Sequence, residues 1–369
     1  MTDSAASAAS AASAASAASE KVPRPVSECR IVRLNAELFP VTDEERAEYQ
    51  RAGIVPIECE RNGLEELAGV VAEADAVFAV SVKLPGEVIR MMSRCRVISR
   101  LGTGTDRIDV AEATRLGIVV ANVPDFCVEE QADHTLALLL AVERQLPRMA
   151  RDMVEGHWRE SRATAGHSHR LSGRTLGLVG WGLSARATAR RALGFGMKLL
   201  ATRRRMQIEA LEAQGLGVRL VALGQLLAES DYVSLHLPLT EATRHLLDAE
   251  AFSRMKPGAV LINTARGAIV DETALVAALD SGQLRGAGLD VFERINVHDP
   301  EEIPPTGDPL LGRDNVVLTP HVAAYGVESR QDIAVGGVEN LVAVLEGRWP
   351  RDGRVVNRDV TPRYELAAH

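Results

Sequence analysis

One stretch of the chain constrains its fold more than any other. Five residues of strand character, Thr175 to Val179, run straight into Gly180-Trp181-Gly182-Leu183-Ser184-Ala185, and an amphipathic segment follows to about Leu193. The spacing is G-x-G-x-x-A at a junction between strand and helix. Gly180 permits a tight turn, Gly182 lets backbone approach a ligand, and Ala185 keeps helix and strand close. The helix start then presents free N–H groups and a partial positive charge, a setting suited to the pyrophosphate of a dinucleotide. A strand that turns directly into a helix also implies a parallel sheet covered by helices.

The rest of the chain repeats that alternation. With 369 residues it holds two domains at roughly 150 residues each. Strands are expected at Arg30–Leu34, Ile54–Glu58, Ala76–Val80 and Val97–Ser99, then again at Thr175–Val179, Lys198–Thr202, Val218–Val221, Tyr232–Leu237, Ala259–Asn263, Gly286–Phe292 and Val316–Thr319. Helices are expected at Thr42–Ala52, Leu183–Leu193, Thr273–Leu279 and Gln331–Glu346, the last returning to the first block. A long helix over Val128–Met149 carries Ala132, Leu136, Leu139 and Leu140 on one stripe, broadened by Leu138, so it is central to a domain or packed on a partner chain. Gly156–Ser172 reads as a polar loop whose His157, His167 and His169 lack a carboxylate or cysteine framework for metal.

Several classes are excluded. The net charge of −8 argues against non-specific binding of nucleic acid. The apolar run Leu136–Val142 is far short of the ~20 residues of a membrane span. Cys29, Cys59, Cys95 and Cys127 form no CxxC pair, as expected of reduced thiols in a cytoplasmic protein. Residues 1–21, alanines punctuated by serine every third position, lack the basic start and leucine-rich segment of a secretory signal and the arginines of a transit peptide. They read as a disordered low-complexity tail.

Three further segments carry chemistry. An acid ordinarily stands ~20 residues after the glycine turn to bond the ribose 2′-OH. Here that place is Arg203-Arg204-Arg205, which suits a 2′-phosphate, so NADP(H) is expected in preference to NAD(H). Asn263-Thr264-Ala265-Arg266-Gly267 and Leu318-Thr319-Pro320-His321 each follow a strand. Strand ends of a parallel sheet face the ligand crevice, so Arg266 and His321 should converge, the first gripping a carboxylate and the second exchanging a proton. His236 also ends a strand and reads as a cofactor-edge or packing residue.

With these segments in view, the chain from residue 29 to 357 resembles the D-isomer-specific 2-hydroxyacid dehydrogenases. Arg100-Leu101-Gly102-Thr103-Gly104-Thr105-Asp106-Arg107-Ile108-Asp109, Asn122-Val123-Pro124-Asp125, Glu130-Gln131-Ala132-Asp133-His134, Ser234-Leu235-His236-Leu237-Pro238-Leu239-Thr240 and Gly288-Leu289-Asp290-Val291-Phe292-Glu293 carry the likeness, with the glycine turn and the Arg266 and His321 segments. Asn122–Cys127 and His321–Tyr325 look most like the branch of C-terminal binding protein and its bacterial dehydrogenase relatives.

The resemblance implies an α/β fold of two Rossmann-like or flavodoxin-like parallel-sheet domains with the active site in the cleft between them. The substrate domain would take residues 22–125 and 327–369, and the dinucleotide domain 126–326. It implies a homodimer built on the dinucleotide domains and the helix near Leu136. Cofactor contacts would come from Gly180, Gly182, Leu183, Ser184, Arg203, Arg204, His236, Pro238, Thr243, Thr264, Ala265 and Asp290. Substrate contacts would come from Ser81, Val82, Lys83, Gly102, Thr103 and Arg266, with His321 as proton donor.

The family's catalytic Glu stands five residues after the Asp of the Asp-Val-Phe segment, and here that position is Ile295. Counting back from Asp308-Pro309-Leu310-Leu311 instead reaches Glu302, which implies an insertion of seven residues within Glu293–Glu301. Glu293, Asp299 and Glu301 compete for the role, as does the absence of any acid. The implied activity is reduction of a small 2-oxo acid of the glyoxylate or hydroxypyruvate kind. A nucleotide-sensing scaffold and a phosphoglycerate dehydrogenase are the alternatives. Retention of Arg266 and His321 disfavours the first, and the lack of a regulatory domain after the last helix disfavours the second.

Overall fold

The computed structural model describes residues 24–60, 64–203, 215–295 and 307–367. The tail expected over residues 1–21 lies outside them. The chain divides into two compact units. One runs to Phe126 and resumes at Val327, and the other is Cys127–Gly326.

The first unit has five parallel strands: β1 (Ile31–Leu34), β2 (Ile57–Cys59), β3 (Ala76–Ala79), β4 (Val97–Arg100) and β5 (Val119–Ala121), in the order β2-β1-β3-β4-β5. This is a doubly wound arrangement with its order reversing between β1 and β3. Successive residues alternate between two cores, as a sheet buried on both faces requires. Ile31, Phe78, Val97 and Val119 meet Val338, Leu341 and Val344 of the helix Val327–Leu345. Val32, Val77, Ile98 and Val120 meet Leu67 and Val71 of Leu64–Val71 and Val88 and Ile89 of Gly86–Met91.

The second unit has seven parallel strands: β6 (Thr175–Val179), β7 (Lys198–Thr202), β8 (Arg219–Leu220), β9 (Tyr232–Leu235), β10 (Ala259–Asn263), β11 (Leu284–Leu289) and β12 (Val316–Leu318). Their order is β12-β11-β10-β9-β6-β7-β8, so the chain order reverses between β6 and β9. In such sheets ligands bind outside the strand ends at the reversal.

Two expectations change here. The helix read as Val128–Met149 is two helices, Val128–Glu143 and Leu146–Glu155. Gln145 breaks it in a left-handed conformation (φ 52°). Pro147 has no N–H to continue a helix and is accommodated in the first turn of the next one. The apolar stripe near Leu136, expected at a two-fold interface, is buried inside its own unit. Leu138, Leu139 and Val142 join Leu176, Leu178, Val260 and Ile262 in one core, and Leu136 is itself buried. The second change is in the supposed polar loop Gly156–Ser172, which contains the helix Trp158–Ala165. Ser161 is its one buried residue, so an apolar stripe was not there to be read. Among the described residues no helix is long and apolar enough to cross a membrane.

Candidate active site

The glycine turn lies at the reversal of strand order, between β6 and the helix Leu183–Gly194. Gly180 has φ +105°, and a Cβ there would sit 2.1 Å from the His236 carbonyl oxygen, so any side chain would push apart the ends of β6 and β9. At Gly182 a Cβ would point into open space. Ala185 is fully buried, in contact with the core under the helix. No side chain caps the helix start, so the amides of Leu183 and Ser184 face outward as anion donors. An open face before Gly182 and an uncapped helix start fit the pyrophosphate of a dinucleotide.

His236 is buried beside this turn. Its Nε2 is 2.8 Å from Ser234 Oγ and its Nδ1 3.3 Å from Ser184 Oγ. Burial pulls its imidazole down to about 3, which keeps the ring neutral at physiological pH. The following loop is closed by Thr243, whose Oγ1 accepts from Thr240 N at 2.7 Å and donates to Pro238 O at 2.8 Å. Arg203 directly follows β7, and Arg204 and Arg205 lie outside the described residues.

Three neighbouring strands, β10, β11 and β12, deliver Arg266, Asp290 and His321 just past their ends. The Arg266 turn is tied by Asn263, which accepts from Ala265 N and donates to Arg266 O, both at 3.0 Å. Arg266 Nη1 donates to Ala265 O at 2.7 Å. A Cβ on Gly267 would lie 1.9 Å from the Phe292 carbonyl carbon, so glycine lets this turn interlock with the segment after Asp290.

Asp290 is fully buried, and its carboxylate faces the His321 loop. Thr319 Oγ1 donates to it at 2.6 Å, and the amides of Val322 and Ala323 donate at 2.9 Å each. Burial pushes this carboxyl upward, but the hydrogen bonds outweigh it and hold the group below the usual carboxylate range. His321 adopts a left-handed backbone (φ 57°), with its N–H donated to Asp290 O at 2.8 Å. Asp290 was expected on the cofactor, and here its carboxylate organises the turn that carries the histidine.

Thr264 and Ala265 are buried under this edge of the site. Gln131 Nε2 donates to Thr264 O at 2.8 Å, and His134 Nε2 is 2.9 Å from Thr319 Oγ1. Neither residue was singled out from sequence beyond the motif that contains both. Their spacing of three places them on one helix face, the one signal that would have paired them.

The remaining expected residues are divided. Ser81, Val82, Lys83, Gly102 and Thr103 belong to the first unit, past the ends of β3 and β4. Ser81 N donates to Asn35 Oδ1 at 3.0 Å, and Arg107 Nη1 donates to Ser81 Oγ at 3.2 Å. Lys83 is exposed, but the Val82 side chain is buried in the core, which leaves its backbone for any ligand. Arg100 Nε donates to Gly104 O at 3.0 Å, and Asn122 Nδ2 donates to Thr103 O at 2.6 Å, which shapes the Gly102–Thr103 loop. Among the competing acids, Glu293 is engaged by His245 Nε2 at 2.6 Å. Ile295 is buried, and Glu302, Asp299 and Glu301 lie outside the described residues.

A parallel sheet with this strand order, a glycine turn at its reversal, and an arginine and a histidine past the ends of β10 and β12, on either side of β11, define a dinucleotide-dependent oxidoreductase. Comparison with known proteins narrows the class. Residues 136–323 match the family model of the D-isomer specific 2-hydroxyacid dehydrogenase NAD binding domain. A glyoxylate reductase of Korarchaeum cryptofilum is 42% identical over 298 residues, covering 79% of this chain and 85% of that one. A hydroxypyruvate reductase of Thermotoga maritima is 38% identical, covering 76% and 88%. Among solved structures, the NADPH-dependent glyoxylate/hydroxypyruvate reductase of Sinorhizobium meliloti, in complex with NADP and malonate, superposes with a TM-score of 0.76 at 28% identity, covering 92% of this chain and all of that one. The chain belongs to the D-isomer-specific 2-hydroxyacid dehydrogenase family. It is an oxidoreductase that uses a nicotinamide dinucleotide to interconvert a small 2-hydroxy acid and its 2-oxo acid.

Proposed function

We propose that the chain reduces glyoxylate or hydroxypyruvate, with NADPH in preference to NADH, as a cytoplasmic homodimer. The observation that carries the catalytic assignment is the joining of the Arg266 and His321 turns, on β10 and β12, through the Asp290 segment that follows β11. The substrate class is supported by the relatives' names, and NADPH by Arg203 standing where the ribose acid would be.

When bound, the dinucleotide supplies a hydride. The chain's own residues do the rest. The Leu183 and Ser184 amides and Arg203 hold the phosphates. Arg266 binds the substrate carboxylate with its planar fork and stabilises the negative charge that develops on the carbonyl oxygen. His321 gives that oxygen its proton and takes it back in the reverse direction. The amides around Gly102 and Thr103, with Ser81 and Lys83, bind the substrate on the first unit. Glu302 acts as the acid that keeps the proton on His321.

The dimer reading moves to a new surface, because the Leu136 stripe is internal. Leu146, Met153, Val154 and Trp158 are 52%, 49%, 90% and 60% exposed on the two following helices. The cytoplasmic reading is supported by four cysteines, none of them joined in a disulfide.

The test is reduced-nicotinamide absorbance with a panel of 2-oxo acids and both cofactors. Expected are turnover of glyoxylate and hydroxypyruvate and at least a tenfold higher kcat/KM with NADPH, the effect of one charge-assisted bond of about 1.5–3 kcal/mol. His321→Ala should lower kcat by ~10²–10⁴. Arg266→Lys should fail as well, since a point charge does not copy the fork. A tenfold preference for NADH, or near-normal turnover in either variant, would overturn the corresponding part.

A further inference from the structure

One helix, Val128–Glu143, reaches both turns that carry the reacting groups. Gln131 and Thr135 meet Thr264 on the Arg266 turn, at 2.8 and 3.1 Å. Between them, His134 Nε2 lies 2.9 Å from Thr319 Oγ1 and 3.5 Å from Asp290 Oδ1.

The proton positions follow from donor and acceptor capacity. Asp290, a carboxylate, only accepts, and Thr319 Oγ1 is 2.6 Å from its Oδ1, so the single hydroxyl proton of Thr319 is committed there. His134 must therefore donate to Thr319, which places a proton on its Nε2. The chain of donation runs from His134 to Thr319 to Asp290, and Asp290 also gathers the Val322 and Ala323 amides around His321. The left-handed backbone of His321 (φ 57°) is strained for a residue with a side chain and persists only where its surroundings hold it.

We propose that His134 is a positioning residue for the catalytic histidine: by donating from Nε2 to Thr319 it orients the Thr319–Asp290 bond, and through it the turn that aims His321 at the substrate. This rests on the reading of His321 as proton donor. His134 touches neither reacting group, so its removal acts on turnover through the placement of His321.

The test uses the full chain with His134→Leu, which has no donor, and His134→Gln, whose amide N–H reaches about as far as Nε2. Kinetics of 2-oxo acid reduction are measured beside NADPH affinity from fluorescence titration. His134→Leu is expected to lower kcat about 10- to 100-fold, the scale of an ångström of misplacement, while KM and the NADPH Kd stay within about threefold. His134→Gln is expected to recover kcat to within about threefold of the wild type. A kcat within twofold of the wild type in His134→Leu overturns the proposal. So does a His134→Gln enzyme no better than His134→Leu, or a parallel loss of kcat, KM and NADPH affinity, which marks a merely structural role. His321→Ala, measured alongside, separates the two readings. An active His321→Ala enzyme defeats the proton-donor assignment and this inference with it, whereas an inactive one beside a normal His134→Leu enzyme defeats the positioning role alone.

Discussion

Lowering the pH below 6.5 should destabilise the unit that contains His236. In the unfolded chain this imidazole takes a proton near 6.5, and in the folded chain burial delays that to about 3. Across the window between those values the unfolded state binds more protons, so stability is fully present above 6.5 and is lost as the pH falls. One proton's difference changes stability by about 1.4 kcal/mol per pH unit. From pH 6.5 to 4.5 the loss from this one group comes to about 2 kcal/mol after allowing for half-titration at the upper end. The assay is urea unfolding at several pH values for the wild type and for His236→Gln, whose side chain is polar but does not titrate. The remaining histidines are common to both proteins, so the difference between the curves isolates His236. The variant's stability should be flatter in pH by about 2 kcal/mol over that window. Parallel curves would show that the ring is not buried in its neutral form.

The glycine turn separates packing from binding. Gly180→Ala, with a Cβ 2.1 Å from the His236 carbonyl oxygen, should cost about 1–3 kcal/mol or more in thermal unfolding. Gly182→Ala should unfold close to the wild-type temperature yet bind NADPH about tenfold more weakly, because its Cβ intrudes where the phosphates approach. Glu302→Gln should lower the apparent pKa of the catalytic acid in the pH profile of kcat, since the stabilising charge is gone; an unchanged profile with normal kcat excludes that residue. Val154→Asp should convert a dimer to monomer in light scattering, and a wild-type monomer at micromolar concentration would refute the assembly.

The local features of this fold were legible in the chain itself. β6, β7 and β10 occupy the ranges read from their apolar runs, because a strand buried on both faces is marked by its own composition. The glycine turn was equally plain, since Gly180 and Ala185 answer to contacts within one strand–turn–helix unit and its neighbour. Short helices such as Gly86–Met91 and Ala249–Arg254 were not read, for six residues are too few to show a period. Sequence alone therefore determined the two parallel sheets, the place of the dinucleotide turn, and the presence of an arginine and a histidine at strand ends. Tertiary structure decided that the Leu136 stripe belongs to the unit's own core. It also decided that Asp290 faces inward and that His134 meets Thr319 across 185 residues of chain. Periodicity reports which face of an element is apolar, but which polar partner closes a buried hydrogen bond depends on elements brought together only by the fold.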